Sequence, residues 1–85
     1  MIQFTYTIKD PAGIHARPAG VLVKLANGFK SKMTVSKGDK SGDLKRIFSI
    51  MALGAKQGEE LNIQIEGEDE TQAKEAVLKC LEENF

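Results

Sequence analysis

The stretch Ile2-Gln3-Phe4-Thr5-Tyr6-Thr7-Ile8-Lys9-Asp10-Pro11-Ala12-Gly13-Ile14-His15-Ala16-Arg17-Pro18-Ala19 changes its period halfway along, and that change decides the fold. Up to Ile8 the apolar residues alternate with polar ones, the period of a strand buried on one face. Asp10-Pro11-Ala12-Gly13 ends the strand, and from Ala16 onward Ala19, Leu22, Val23 and Ala26 recur at helical spacing. Pro18 falls in the first turn, where its missing N–H costs nothing, and Gly28 stops the helix. Gly20 within the helix costs about 1 kcal/mol relative to alanine. Packing must therefore hold this helix, and close approach to the sheet is a reason for a glycine there.

Outward from this stretch the pattern continues to alternate between the two periods. Met33 and Val35 mark a strand, Lys37-Gly38-Asp39-Lys40 a turn, and Ser41 to Leu44 a short returning arm. Lys45 to Leu53 predicts a short helix, but Ile47, Phe48, Ile50, Met51 and Leu53 are too many large apolar groups for one buried face. Ile50 is expected inside, with Ile47, Phe48 and Met51 at least partly outward. Leu61 to Glu66 alternates as another strand, and Asp69 with Gln72 three residues on resembles a capping box. The last helix would turn Ala73, Ala76, Val77, Cys80 and Leu81 inward. The order is β-α-β-β-α-β-α, an α+β class in which helices cover one face of an antiparallel or mixed sheet. Periodicity leaves the strand order open.

With 85 residues the chain has material for a single core, so residues 1–85 form one domain and a multi-domain enzyme is excluded. One cysteine, Cys80, and one histidine can make neither an internal disulfide nor a zinc site, which fits a reducing, cytoplasmic setting. No run approaches the roughly 18 apolar residues that span a bilayer, so no membrane insertion is expected. Twelve basic and twelve acidic residues cancel, but unevenly: residues 1–65 hold ten Lys/Arg and five Asp/Glu, residues 66–85 two and seven. The positive part suits an acidic partner or a phosphate group but lacks the dense basic clusters of nucleic-acid binders. The acidic final helix is expected to lie away from any docking surface.

The chemistry concentrates in Gly13-Ile14-His15-Ala16-Arg17-Pro18-Ala19. His15 sits where a loop meets a helix N-terminus, so the free N–H groups of Ala16 and Arg17 and the helix dipole would stabilise an anion beside the imidazole. The Arg17 guanidinium can grip a phosphoryl group by two oxygens and does not compete as a nucleophile. An unprotonated imidazole nitrogen is itself a nucleophile. Without a second histidine, a nearby cysteine or a Walker-type loop, the chain shows no hydrolytic triad and no recognisable ATP site.

This segment resembles the active-site signature of HPr proteins, the histidine-containing phosphocarriers of the bacterial phosphoenolpyruvate-dependent sugar phosphotransferase system. The resemblance extends over essentially the whole chain, through Leu44-Lys45, Ile47, Met51, Leu53-Gly54, Gln57-Gly58 and Glu66-Gly67-Glu68-Asp69-Glu70. It implies an open-faced β-sandwich, four antiparallel strands with three helices on one face. It implies that His15 is phosphorylated on Nδ1 by enzyme I, that Arg17 is the charge partner of the phosphate, that Pro18 fixes the helix start, and that the phosphoryl group passes to an enzyme IIA. No cofactor is implied beyond that transient group, and the protein would act as a monomer. The middle helix and its flank would dock partners through Ile47, Phe48, Met51 and Leu53, framed by Lys24, Lys45 and Arg46.

Two positions depart from the family pattern. Where many Gram-positive members have a kinase-regulated serine, this chain has Arg46, so serine control is expected to be absent and Ser49 is poorly placed to replace it. Ala12 stands where relatives often carry a polar side chain, which backbone groups would then replace. Alternatives from other classes are a regulatory binding module that does not transfer phosphate and an RNA-binding domain of similar element order. The first could dispense with His15 and Arg17; the second lacks stacking aromatics on its strands. A nitrogen-related paralogue or a carrier feeding a dihydroxyacetone kinase would present the same histidine motif, although Ile47, Phe48 and Met51 favour the sugar branch.

Overall fold

A computed structural model describes all 85 residues. Strand β1 (Ile2–Thr7) is followed by helix α1 (Ala16–Ala26), the hairpin β2 (Lys32–Lys37) and β3 (Lys40–Asp43), helix α2 (Ile47–Ala52), strand β4 (Glu60–Glu66) and helix α3 (Glu70–Asn84). The strands form one antiparallel sheet in the order β1-β4-β2-β3. The last strand therefore lies between the first two, a topology that alternation cannot reveal because it reports faces and not neighbours.

Register turns that alternation into a core. Phe4 pairs with Ile63 and Tyr6 with Leu61 on one side of β4, while Val35 pairs with Ile63 and Met33 with Ile65 on the other. These side chains share one face with Ala19, Leu22 and Ala26 of α1, Ile50 of α2 and Ala73, Val77 and Leu81 of α3. Gln3, Thr5, Thr7 and Gln64 alternate with them and are exposed, so helices cover one face and water the other. Ile63 and Ile65 are fully buried because β4 is paired along both edges. On the α1 stripe Val23 is only half-buried, and on the α3 stripe Ala76 is.

Two expectations about local packing are corrected. The nearest side chain to a Cβ at Gly20 would be Ile47, whose Cδ1 lies 3.9 Å away, so this glycine faces α2 and not the sheet. Asp69 precedes α3 but makes no side-chain cap, so the capping box with Gln72 does not form. Its carboxylate instead accepts the N–H of Lys30 (2.8 Å), the N–H of Ser31 (2.9 Å) and the Ser31 hydroxyl, tying the α1–β2 connection to the start of α3. Glu70 takes over at the helix entry, accepting the N–H of Gly67 at 3.2 Å.

The Ser31 hydroxyl foremost, then the Lys30 N–H, hold the Asp69 carboxyl below its ordinary value of 3.8. A lowered folded value means that the stabilisation is complete above the unfolded value and disappears as pH falls through the folded one. Asp69→Asn should thus be less stable than the wild type in urea unfolding from neutral pH down to about pH 4. The gap should close below that, and a gap that persists undiminished at about pH 2 contradicts this role.

Candidate functional site

The chain between β1 and α1 is fixed by main-chain hydrogen bonds to two distant segments. The Ile8 N–H donates to Glu59 O (3.0 Å), and the Gly58 N–H to Ile8 O (2.8 Å). The N–H groups of Lys9 and Asp10 both donate to Phe85 O, at 2.6 and 2.7 Å, and the Phe85 ring is buried in the core. A tight turn follows, in which Asp10 O accepts the Gly13 N–H (2.9 Å) and Asp10 Oδ1 the Ala12 N–H (2.8 Å). Gly13 has φ +67°, and a Cβ there would lie 2.6 Å from Ala55 O, so only glycine fits both the turn and the approach. The Ile14 N–H then donates to the same Ala55 oxygen at 3.1 Å.

His15 emerges from this anchored loop as the N-cap of α1, with extended φ and ψ of −138° and 168°. Its carbonyl accepts the Ala19 N–H (3.0 Å), the first bond of the helix, but its side chain does not cap. The imidazole is thus left free and 44% exposed. Pro18, buried at the third helical position, has no N–H, so Ala16 and Arg17 carry the two unpaired donors of the first turn. Arg17 is exposed and forms no ion pair, leaving its guanidinium available to an anion.

An open groove of about 320 Å³ joins His15, Arg17, Pro18 and Val21 with Asp10, Glu83 and Asn84. The acidic final helix therefore borders the site through its last turn. Asp10 and Val21 are also additions to the residues singled out by sequence. The Asp10 carboxylate approaches the ring, Oδ2 lying 3.9 Å from Nε2. Asp followed two residues later by a small residue is a turn signal, and its side chain is brought near His15 only by the fold. No group of three or more His, Cys, Asp or Glu side chains is placed to hold a metal ion. The groove thus offers an exposed imidazole, two backbone donors at a positive helix end and a free guanidinium, a combination suited to a small, highly charged anion bonded to the ring.

The predicted docking residues divide. Phe48 is 85% and Met51 37% exposed and Ile47 is half-buried, while Ile50 is buried as expected; outside the predicted set, Val21 is 48% exposed. Leu53 is 2% exposed and belongs to the core, which corrects its assignment to the docking surface: α2 ends at Ala52 and the chain turns inward. Lys24 and Arg46 are exposed. Lys45 is half-buried, its ammonium donating to Phe29 O at 2.7 Å, so it serves the junction with α1 before any partner. Ser49 packs on β3, where a Cβ at Gly42 would come within 2.8 Å of Ser49 Cβ.

Comparison with known proteins agrees with this geometry. Residues 2–83 match the family described as PTS HPr component phosphorylation site. The phosphocarrier protein HPr of Mycoplasma capricolum is 44% identical over 81 residues, covering 95% of this chain and 91% of that one. HPr of Lysinibacillus sphaericus is 46% identical over 78 residues, covering 92% and 89%. A solved Mycoplasma histidine-containing phosphocarrier protein superposes with a TM-score of 0.93 at 40% identity, covering 96% of this chain and 93% of that structure. With the family model spanning nearly the whole chain and these relatives matched almost end to end, the chain belongs to the HPr family of phosphotransferase-system phosphocarriers.

Proposed function

We propose that His15 accepts a phosphoryl group from phospho-enzyme I on Nδ1 and delivers it to a sugar-specific enzyme IIA. The observation that carries this is an imidazole excluded from helix capping, beside two unpaired N–H groups and a free guanidinium. In the forward step the Nδ1 lone pair forms the N–P bond while the bond from phosphorus to the donor breaks, its electron pair returning to the donor. The phosphoryl oxygens bind the N–H groups of Ala16 and Arg17 and the Arg17 guanidinium, donors already oriented by the helix and needing no reorganisation. Delivery reverses these roles, the N–P pair returning to Nδ1. No helix of the protein is long and apolar enough to cross a membrane.

Docking is assigned to the exposed Phe48 and Met51 with Val21, bordered by Lys24 and Arg46. Apolar side chains surrounded by cations suit acidic partner surfaces with an apolar centre. Arg46 sets a permanent positive charge at the N-cap of α2, 3.8 Å from Asp43, where a phosphoserine would set a negative one.

Incubation with enzyme I and phosphoenolpyruvate should add one acid-labile phosphoryl mass, and His15→Ala should abolish it; labelling that survives the substitution contradicts the mechanism and favours a non-transferring module. Phe48→Ala should weaken enzyme I binding about ten-fold or more while changing stability by less than about 0.5 kcal/mol. An unchanged dissociation constant in titration calorimetry would remove Phe48 from the docking surface. Exposure to the kinase that modifies serine-bearing relatives should leave every serine, Ser49 included, without phosphate in mass spectrometry, and a phosphoserine would show that Arg46 does not close that route.

A further inference from the structure

We infer that Asp10 is a positioning residue for His15, holding the ring proton on Nε2 so that Nδ1 is the free nucleophile. Its backbone is pinned by its N–H to Phe85 O at 2.7 Å and by the Gly13 N–H to its carbonyl at 2.9 Å. Its Oδ1 is taken by the Ala12 N–H, which leaves Oδ2 as the oxygen that faces the imidazole. At 3.9 Å the contact with Nε2 is too long for a hydrogen bond in the resting protein. It is short enough for a charge to bias the ring, and contacts of this kind commonly tighten only when a reaction partner binds.

The charged groups facing His15 come from three elements. Asp10 lies on the preceding loop, Arg17 on α1 and Glu83 on the last turn of α3. Asp10 alone has a carboxylate oxygen within 4 Å of the imidazole. Ala12 has no polar side chain to offer, so the role expected to fall to backbone groups at that turn falls to the Asp10 side chain. Because the two side chains are 44% and 34% exposed, the effect is a factor of a few and not orders of magnitude.

The inference rests on phosphorylation of His15 for its consequence in transfer. When Nδ1 bonds to phosphorus and the donor leaves with its electron pair, Nε2 keeps its proton and the ring becomes a cation facing Asp10. When the N–P bond later breaks, its pair returns to Nδ1 and the ring is neutral again. The carboxylate therefore favours the ring form that both accepts and releases the phosphoryl group, without itself bonding to phosphorus.

Two-bond 1H–15N spectra of the unphosphorylated protein, at a pH where the ring is neutral, read the tautomer directly. The wild type should carry its proton on Nε2, and Asp10→Asn should raise the Nδ1–H share about two- to five-fold. The asparagine can still accept the Ala12 N–H, so the remaining spectrum should not change. An unchanged tautomer ratio in Asp10→Asn overturns the inference whatever the rates do. Should that variant fail to fold, Asp10→Ser, whose hydroxyl can also accept the Ala12 N–H, is judged by the same ratio. Absence of phosphate on His15 would defeat the proposed transfer, whereas the tautomer spectrum would still decide the role of Asp10.

Discussion

The position of the imidazole depends on the fastening of residues 8–14 at both ends. One end is held by Phe85 O, which takes the N–H groups of Lys9 and Asp10; the other is held by Ala55 O, which takes the N–H of Ile14. Each of these bonds contributes only about 1–3 kcal/mol to stability, so their importance here is geometric. They couple the loop to the end of α3 and to the turn before β4, both anchored by buried apolar groups, Phe85 in one case and Ala55 and Leu61 in the other. The turn before β4 is itself stiffened by Glu59. Its carboxylate accepts the Lys56 N–H at 2.7 Å and meets the Lys37 ammonium at 3.3 Å, and the Lys56 bond foremost lowers its pKa.

A loop held in this way can present a side chain without burying it. His15 caps α1 by its carbonyl alone, so the imidazole stays available while the helix starts on schedule, and Pro18 removes a donor that would otherwise be unpaired. The same construction brings opposite charges to the groove that holds the ring, Arg17 from α1, Asp10 from the loop and Glu83 from the last turn of α3. A net charge of zero is therefore compatible with a sharply divided site. What matters is which charges the fold brings to the loop, and the acidic end of the chain contributes as well as the basic part.

Most of the elements, and the place of His15, Arg17 and Pro18 at the start of α1, were legible in the sequence, because alternation, helical spacing and the position of a histidine before a helix are local signals. Ile2 to Ile8 and Leu61 to Glu66 announce strands without help from the rest of the chain, and the surplus of apolar groups in Ile47 to Leu53 announces an exposed face. Non-local information was not legible. The place of β4 between β1 and β2 depends on register, and the contact of Gly20 with Ile47 on helix packing. Leu53 reads like its neighbours Phe48 and Met51 but lies past the end of α2, where the chain turns into the core. Asp69 resembles a cap because capping residues and loop tethers use the same carboxylate, and only the nearness of Ser31 separates them. Asp10 is legible only in part for a similar reason, its turn-forming oxygen being predictable and the one that faces His15 not.

Backbone 1H–15N spectra recorded before and after enzyme I and phosphoenolpyruvate are added test the arrangement most directly, with the modified residue identified by mass spectrometry. One phosphoryl group should appear on His15 and the largest amide shifts at Ala16 and Arg17, with the amides of β2 and β3 almost unmoved. Phosphate on another residue, or phosphate on His15 with Ala16 and Arg17 undisturbed, would contradict it.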